Sequence, residues 1–159
     1  MPPLQWNFMP IQCDIVTQER TVFSGEVDSV NLPGAEGRMG ILPNHTALLT
    51  TLDFGEVVVR SGDQEEYFAI GGGFVEVQPD HVTILADSAE HAEEIDHQRA
   101  EKARERAEQL MAEGVPQDPE YYAQIRASLM RAQVRMDVAR RRRRRAMPTG
   151  RTSSGEDQF

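Results

Sequence analysis

The chain has 159 residues, 39% of them hydrophobic and 27% charged, with 17 Lys+Arg against 26 Asp+Glu and a single cysteine. That is length enough for one domain with an appendage and a core of its own. No run reaches the roughly 18 apolar residues of a membrane span, and the start MPPLQWNFMP has neither the basic nor the apolar part of a secretory signal, which points to the cytoplasm. Cys13 has no partner for an internal disulfide or a cysteine-based metal site, and reads as a small buried hydrophobe.

From Ile11 to Ala86 the chain breaks into short apolar runs: IQCDIV, TVFSGEVDSVNL, RMGIL, ALLTTL, EVVVR, EYFAI, FVEVQ and HVTILA. The separators PGAEG, LPNH, DFG, SGDQ, GGG and PD are rich in residues that tolerate turn dihedrals. FVEVQ and HVTIL alternate with the period of a half-buried strand, and EVVVR is nearly all apolar. Many short strands with brief turns and no helix between them predict an antiparallel sandwich or barrel.

Beyond Asp87 the period becomes helical. Ala100, Ala103, Ala107, Leu110 and Met111 form one narrow stripe of small apolar positions, suited to close approach of a second helix. GVPQDP stops that helix at Gly114, and a second starts at about Pro119. Tyr122, Ile125, Leu129, Ala132, Met136 and Ala139 then follow at spacings of three and four, a regular seam. The expected fold is α+β, mainly β: an N-terminal antiparallel β-sandwich (1–87), a C-terminal two-helix hairpin (88–145), and a disordered tail (146–159) whose composition lacks a core.

The net charge of −9 is unevenly spread. Residues 1–87 carry 3 Arg and 13 acids, 88–120 carry 4 bases and 10 acids, and 121–159 carry 10 bases and 3 acids. An acidic stretch followed by a basic one suits two antiparallel helices that neutralise each other, and equally a basic helix with an acidic partner.

GRMGILPNHTALLT, AIGGGFVEVQPDHVTILADSAEHAEEID and RAEKARERAEQL, in this order, resemble the epsilon subunit of bacterial F-type ATP synthases, equivalent to the delta subunit of the mitochondrial enzyme. The similarity runs from about residue 11 to about 139. It implies a ten-stranded sandwich, a helical hairpin, and a noncatalytic central-stalk role in which the sandwich binds the gamma subunit and sits on the c-ring. Arg38, Gly40, Pro43 and His45 fall in the loop that in relatives lies close to the ring, with Arg38 standing where relatives usually carry an acid. The resemblance implies a peripheral location on the cytoplasmic face of the membrane, with no direct membrane insertion. A leader of about ten residues, the six arginines Arg140–Arg145 and the tail depart from the family pattern.

Some bacterial members of that family bind ATP in the hairpin through Ile or Leu, Asp, two variable residues, Arg and Ala. IDHQRA matches at Ile95, Asp96 and Arg99, while Arg106, Arg131, Arg135 and Glu90 fall at further matching positions; His91 replaces a base common in binders. Asp96 would also serve as a helix start, where negative charge is favoured, with Arg99 as its i+3 partner. Arg104 has Glu101 and Glu108 as helix neighbours, whereas Arg106, Arg131 and Arg135 have no local acid. Convergence of four guanidiniums beside one carboxylate would favour a polyphosphate; cross-hairpin salt bridges without a ligand are the alternative. ATP is thus a regulatory ligand in this expectation, and no cofactor is required.

Arg140–Arg145 admit three readings: a solvated helix extension favoured by the C-terminal dipole, docking on acidic loops of the catalytic beta subunits in an extended inhibitory state, or nucleic-acid binding. The strong acidity elsewhere and the scarcity of nearby aromatics disfavour nucleic acid. His45, His81, His91 and His97 show no metal-ligand spacing, and Gly71–Gly73 lacks the helix that a dinucleotide site requires, so no catalytic or metal residue is assigned. A free-standing nucleotide-binding regulatory module, outside any rotary complex, is the second functional reading.

Overall fold

The structure is a computed structural model that describes residues 9–114 and 117–146. Eight strands come first: β1 (Ile11–Val16), β2 (Thr21–Val27), β3 (Ser29–Gly34), β4 (Gly37–Ile41), β5 (Leu48–Ser61), β6 (Gln64–Val77), β7 (His81–Ala86) and β8 (Ala89–His91). A 3-10 turn (Ala92–Glu94) leads to two helices, α1 (His97–Ala112) and α2 (Pro119–Ala146). The sheet therefore continues to His91, a few residues past the expected boundary at 87. The expectation for the tail falls on residues outside those described, apart from Ala146, which is helical.

The strand order is β2-β1-β7-β6-β5-β3-β4, with β8 added against β6. β5 and β6 are 14 residues each and paired along almost their whole length, Leu48 with Val77 at one end and Ser61 with Gln64 at the other. The second half of β6 pairs with β7, and its first half with β8. These two strands thus belong to both layers of the sandwich, which is why eight strands occur where the resemblance implied ten. Their crossing is made by glycine: Gly72 and Gly73 have φ of 91° and 131°, and a Cβ on Gly55 would lie 2.5 Å from the Cβ of Pro33. One pairing departs from the antiparallel expectation, since β1 runs parallel to β7 from Gln12↔His81 to Val16↔Leu85.

Period-two patterning fills the interior. Ile11, Cys13 and Ile15 of β1 face Val82 and Ile84 of β7, Val75 and Val77 of β6, and Val30 and Leu32 of β3, all buried in one cluster with Phe68 and Ile70. Burial beside Asp14 pushes the Cys13 thiol up to about 12, so it stays protonated and unreactive at neutral pH. A second, smaller buried cluster of Val58, Tyr67, Ala69, Ala92 and Val138 joins the outer face of β5 and β6 to α2. EVVVR is apolar on both faces for that reason: Val57 and Val59 point into the core, and Val58 points at α2.

Candidate functional site

The hairpin forms as its sequence dictates. Asp96 is the N-cap of α1, its carboxylate accepting the Arg99 backbone N–H at 3.1 Å. α1 ends at Glu113, followed by Gly114 with φ 121°. Asp118 opens α2, accepting the Glu120 N–H at 3.0 Å with Pro119 at the first helical position. Ala100 and Ala107 of the first stripe are buried, as are Ile125, Ala132, Met136 and Ala139 of the second, while Ala103 is exposed.

A cavity of about 550 Å³ lies between the sandwich and the hairpin, with Arg20, Gly71, Glu90, Glu94, Arg131 and Arg135 among its lining residues. Arg135 donates to Glu90 twice, from Nε to Oε2 at 2.6 Å and from Nη2 to Oε1 at 3.2 Å, the two-pronged pairing that a guanidinium gives a carboxylate. Arg20, from the turn between β1 and β2, donates to Glu94 at 2.8 Å; that bond holds the Glu94 carboxyl below and the Arg20 guanidinium above their ordinary values. Arg131 donates only to the Ser128 hydroxyl at 3.2 Å and has no carboxylate partner among the described residues. Gly71 makes the space, since a Cβ there would stand 2.0 Å from the Ser88 Oγ and 3.4 Å from the Arg131 Cγ.

The expected ligand residues are only partly gathered. Glu90, Arg131 and Arg135 line the cavity; Ile95, Asp96, Arg99 and Arg106 do not. Ile95 packs against the small cluster under α2, Asp96 is occupied as a cap, and Arg99 and Arg106 are exposed. Ala103, on the same helix face between those two arginines, does reach the cavity. Two of the expected four guanidiniums therefore line the cavity, and Arg20 joins them from the turn between β1 and β2, a placement that no local pattern foretells. His91 lies outside the cavity: its Nδ1 accepts the Glu93 N–H at 3.1 Å, its Nε2 faces Glu66 at 3.2 Å, and its ring meets Phe68 edge-on at 4.9 Å.

The basic helix finds its counter-charge on the sandwich. Besides Arg135 with Glu90, Arg141 pairs with Glu56 at 3.0 Å, Arg142 with Glu93 at 3.0 Å and Arg145 with Glu65. Among the described residues no ion pair joins α1 to α2, so of the two readings of the charge pattern the basic helix with acidic partners elsewhere is the one the ion pairs follow. Arg104 reaches Glu108 only at 3.9 Å, within α1 itself.

The model of the ATP synthase delta/epsilon chain beta-sandwich domain matches residues 10–92, and that of the delta/epsilon long alpha-helix domain matches residues 93–140. The chain belongs to the ATP synthase delta/epsilon family. The ATP synthase epsilon chain of Herpetosiphon aurantiacus is 54% identical over 138 residues, 86% of this chain and 99% of the relative. That of Dehalococcoides mccartyi is 52% identical over 135 residues, 84% and 95% of the two chains. A chain of the Euglena gracilis mitochondrial ATP synthase, solved as OSCP, F1 and c-ring, is similar with a TM-score of 0.66 at 26% identity, over 79% of this chain and 78% of that one. A chain of the Tetrahymena thermophila mitochondrial ATP synthase central stalk and c-ring shares the fold, with a TM-score of 0.56 at 15% identity over 81% and 96%.

Two further surfaces of this delta/epsilon fold stand out. Arg38 and Gly40 lie on β4, and Pro43 and His45 in the loop that follows. That loop is a tight turn, with the His45 N–H donating to the Leu42 carbonyl at 3.2 Å, and Asn44, at φ 62°, donating to the Pro79 carbonyl at 2.8 Å. Arg38, Gly40 and Leu42 are exposed. The second surface is apolar: Phe74 and Leu85 are cross-strand partners on an outer face and are 53% and 54% exposed, with Leu49 at 72% on β5. Scattered exposed leucines are ordinary, whereas here the exposed Phe74 and Leu85 are paired on one sheet face. No described helix is long and apolar enough to cross a membrane.

Proposed function

We propose that this chain is a noncatalytic rotor subunit of a proton-translocating ATP synthase, with the sandwich as its grip and the hairpin as a regulatory arm. The sandwich carries the division of labour. Among the described residues its buried cluster of 17 includes no helix residue, while the hairpin rests on a separate cluster of five buried residues. An arm with so small a shared interior can leave without unfolding the head. The apolar row of Leu49, Phe74 and Leu85 is then the gamma-facing surface, and the turn from Arg38 to His45 meets the c-ring. In this reading the docked hairpin leaves rotation free. The extended hairpin places Arg140–Arg145 against the beta subunits and inhibits hydrolysis.

ATP is the proposed regulator, bound at the cavity between head and arm. Arg131 supports this, as a cavity-lining guanidinium without a carboxylate partner among the described residues, and Arg135 supplies a second once its bond to Glu90 is exchanged for phosphate. Arg99, Arg106 and Asp96 would join only if the start of α1 turned toward the cavity. A ligand that binds only the docked form stabilises it by RT ln(1 + [L]/Kd). Calorimetry of the isolated chain with millimolar ATP should show heat that Arg131→Gln removes; no heat with the intact chain refutes ATP sensing. Retention of gamma by a chain cut after residue 92 tests the grip, and its loss refutes it.

A further inference from the structure

α2 has 28 residues and α1 only 16, so α2 outruns its partner helix by 12 residues. This overhang, about 18 Å at 1.5 Å per residue, lies along β5, β6 and the 3-10 turn, with Val138 1% exposed beneath it. Helical spacing divides its arginines between two faces. Arg141, Arg142 and Arg145 continue the Val134–Val138 side and meet Glu56, Glu93 and Glu65. The Arg145 guanidinium also stands over the Tyr67 ring, 4.9 Å from its centre. Arg140, Arg143 and Arg144 face outward and make no ion pair among the described residues.

Glu56 decides what this contact does. It is 7% exposed beneath the helix, its Oε1 accepts from Arg141 Nη1 at 3.0 Å, and its Oε2 has no partner among the described residues. A carboxylate so covered is costly unless a cation accompanies it. Once the helix lifts, the same carboxylate meets water. Docking without Arg141 is therefore penalised, and docking with it escapes that penalty.

We propose that Arg141, Arg142 and Arg145 form an ionic latch that fastens the end of α2 to Glu56 and Glu65 of the sandwich and Glu93 of the 3-10 turn that follows it, with the Arg141–Glu56 pair as its keyed member. The same arginines are thereby withheld from any other acidic surface while the arm is docked. The latch rests on the proposed reading that the arm detaches.

Amide hydrogen exchange of the full-length chain tests it over residues 134–146. Arg141→Gln should speed exchange there by about tenfold, equivalent to about 1.4 kcal/mol, and leave β1 and β7 unchanged. Glu56→Gln combined with Arg141→Gln should restore protection to within about threefold of the parent, because the buried charge is gone. Arg140→Gln removes the same charge from the outward face and should change nothing. Equal effects of Arg141→Gln and Arg140→Gln overturn the latch, as does failure of the double variant to recover. The exchange is read on the isolated chain, so it can overturn the latch while gamma retention upholds the rotor reading, and loss of gamma retention can refute the rotor reading while the latch stands.

Discussion

Val138→Ala separates the head from the arm. Val138 is 1% exposed and belongs to the cluster that joins α2 to β5 and β6, away from the sandwich core. Removing two buried carbons costs about 1.6 kcal/mol at about 0.8 kcal/mol each. A residual cavity of roughly 40 Å³ adds about 1 kcal/mol. The docked arm should thus lose about 1.6–2.6 kcal/mol, a shift of roughly 15- to 80-fold in the docked-to-released ratio at 1.36 kcal/mol per decade. Hydrogen exchange is the assay: amides of α2 should accelerate by that factor, and those of β1, β6 and β7 by none of it. Val75→Ala, inside the sandwich core, should accelerate the whole chain. Equal acceleration of head and arm by Val138→Ala would mean one cooperative interior and refute the reasoning.

Three other outcomes are expected. Gly71→Ala should destabilise the chain by about 1–3 kcal/mol in denaturant unfolding, because its Cβ meets Ser88 Oγ at 2.0 Å and the neighbours must shift. Asp14 is held below the ordinary carboxylate range mainly by the Ser24 hydroxyl, with Gln12 and His81 assisting, and Glu65 by Arg60 and then Arg145. Their folded values lie below the ordinary ones of 3.8 for Asp14 and 4.5 for Glu65, so their stabilisation is full only above those values and is lost as pH falls through the folded ones. The melting temperature should drop on that acid limb, and Asp14→Asn should flatten it. Cys13, with 0% exposure and its thiol pushed up to about 12, should resist alkylation at neutral pH until the sandwich unfolds, so mass spectrometry of the labelled chain reads the global opening rate.

The sequence exposed what depends on local pattern. Alternation in FVEVQ and HVTIL places Val75, Val77, Val82 and Ile84 inward, and the Asp96 cap, the Gly114 stop and the Asp118-Pro119 start lie where their residue types predict. Pairing over distance was not legible. Parallel β1–β7 joins residues about 70 apart, and the continuous β5 and β6 were divided by their own glycines into shorter runs. The partners of the arginine run lie 85, 49 and 80 residues away at Glu56, Glu93 and Glu65, and each acid alone looks like an ordinary solvated strand or turn residue. At the candidate site, three of the motif-matched residues, Glu90, Arg131 and Arg135, line the cavity, whereas Asp96 serves as the helix cap that was its alternative reading. Motif matching could not foresee that Arg20 closes the cavity from the opposite side.

The rate of ATP hydrolysis by the assembled complex, with the chain either whole or cut after residue 92, is the most direct measure of a head that grips and an arm that restrains. The account predicts that the shortened chain still assembles and that hydrolysis runs faster. An unchanged rate in a fully assembled complex contradicts it.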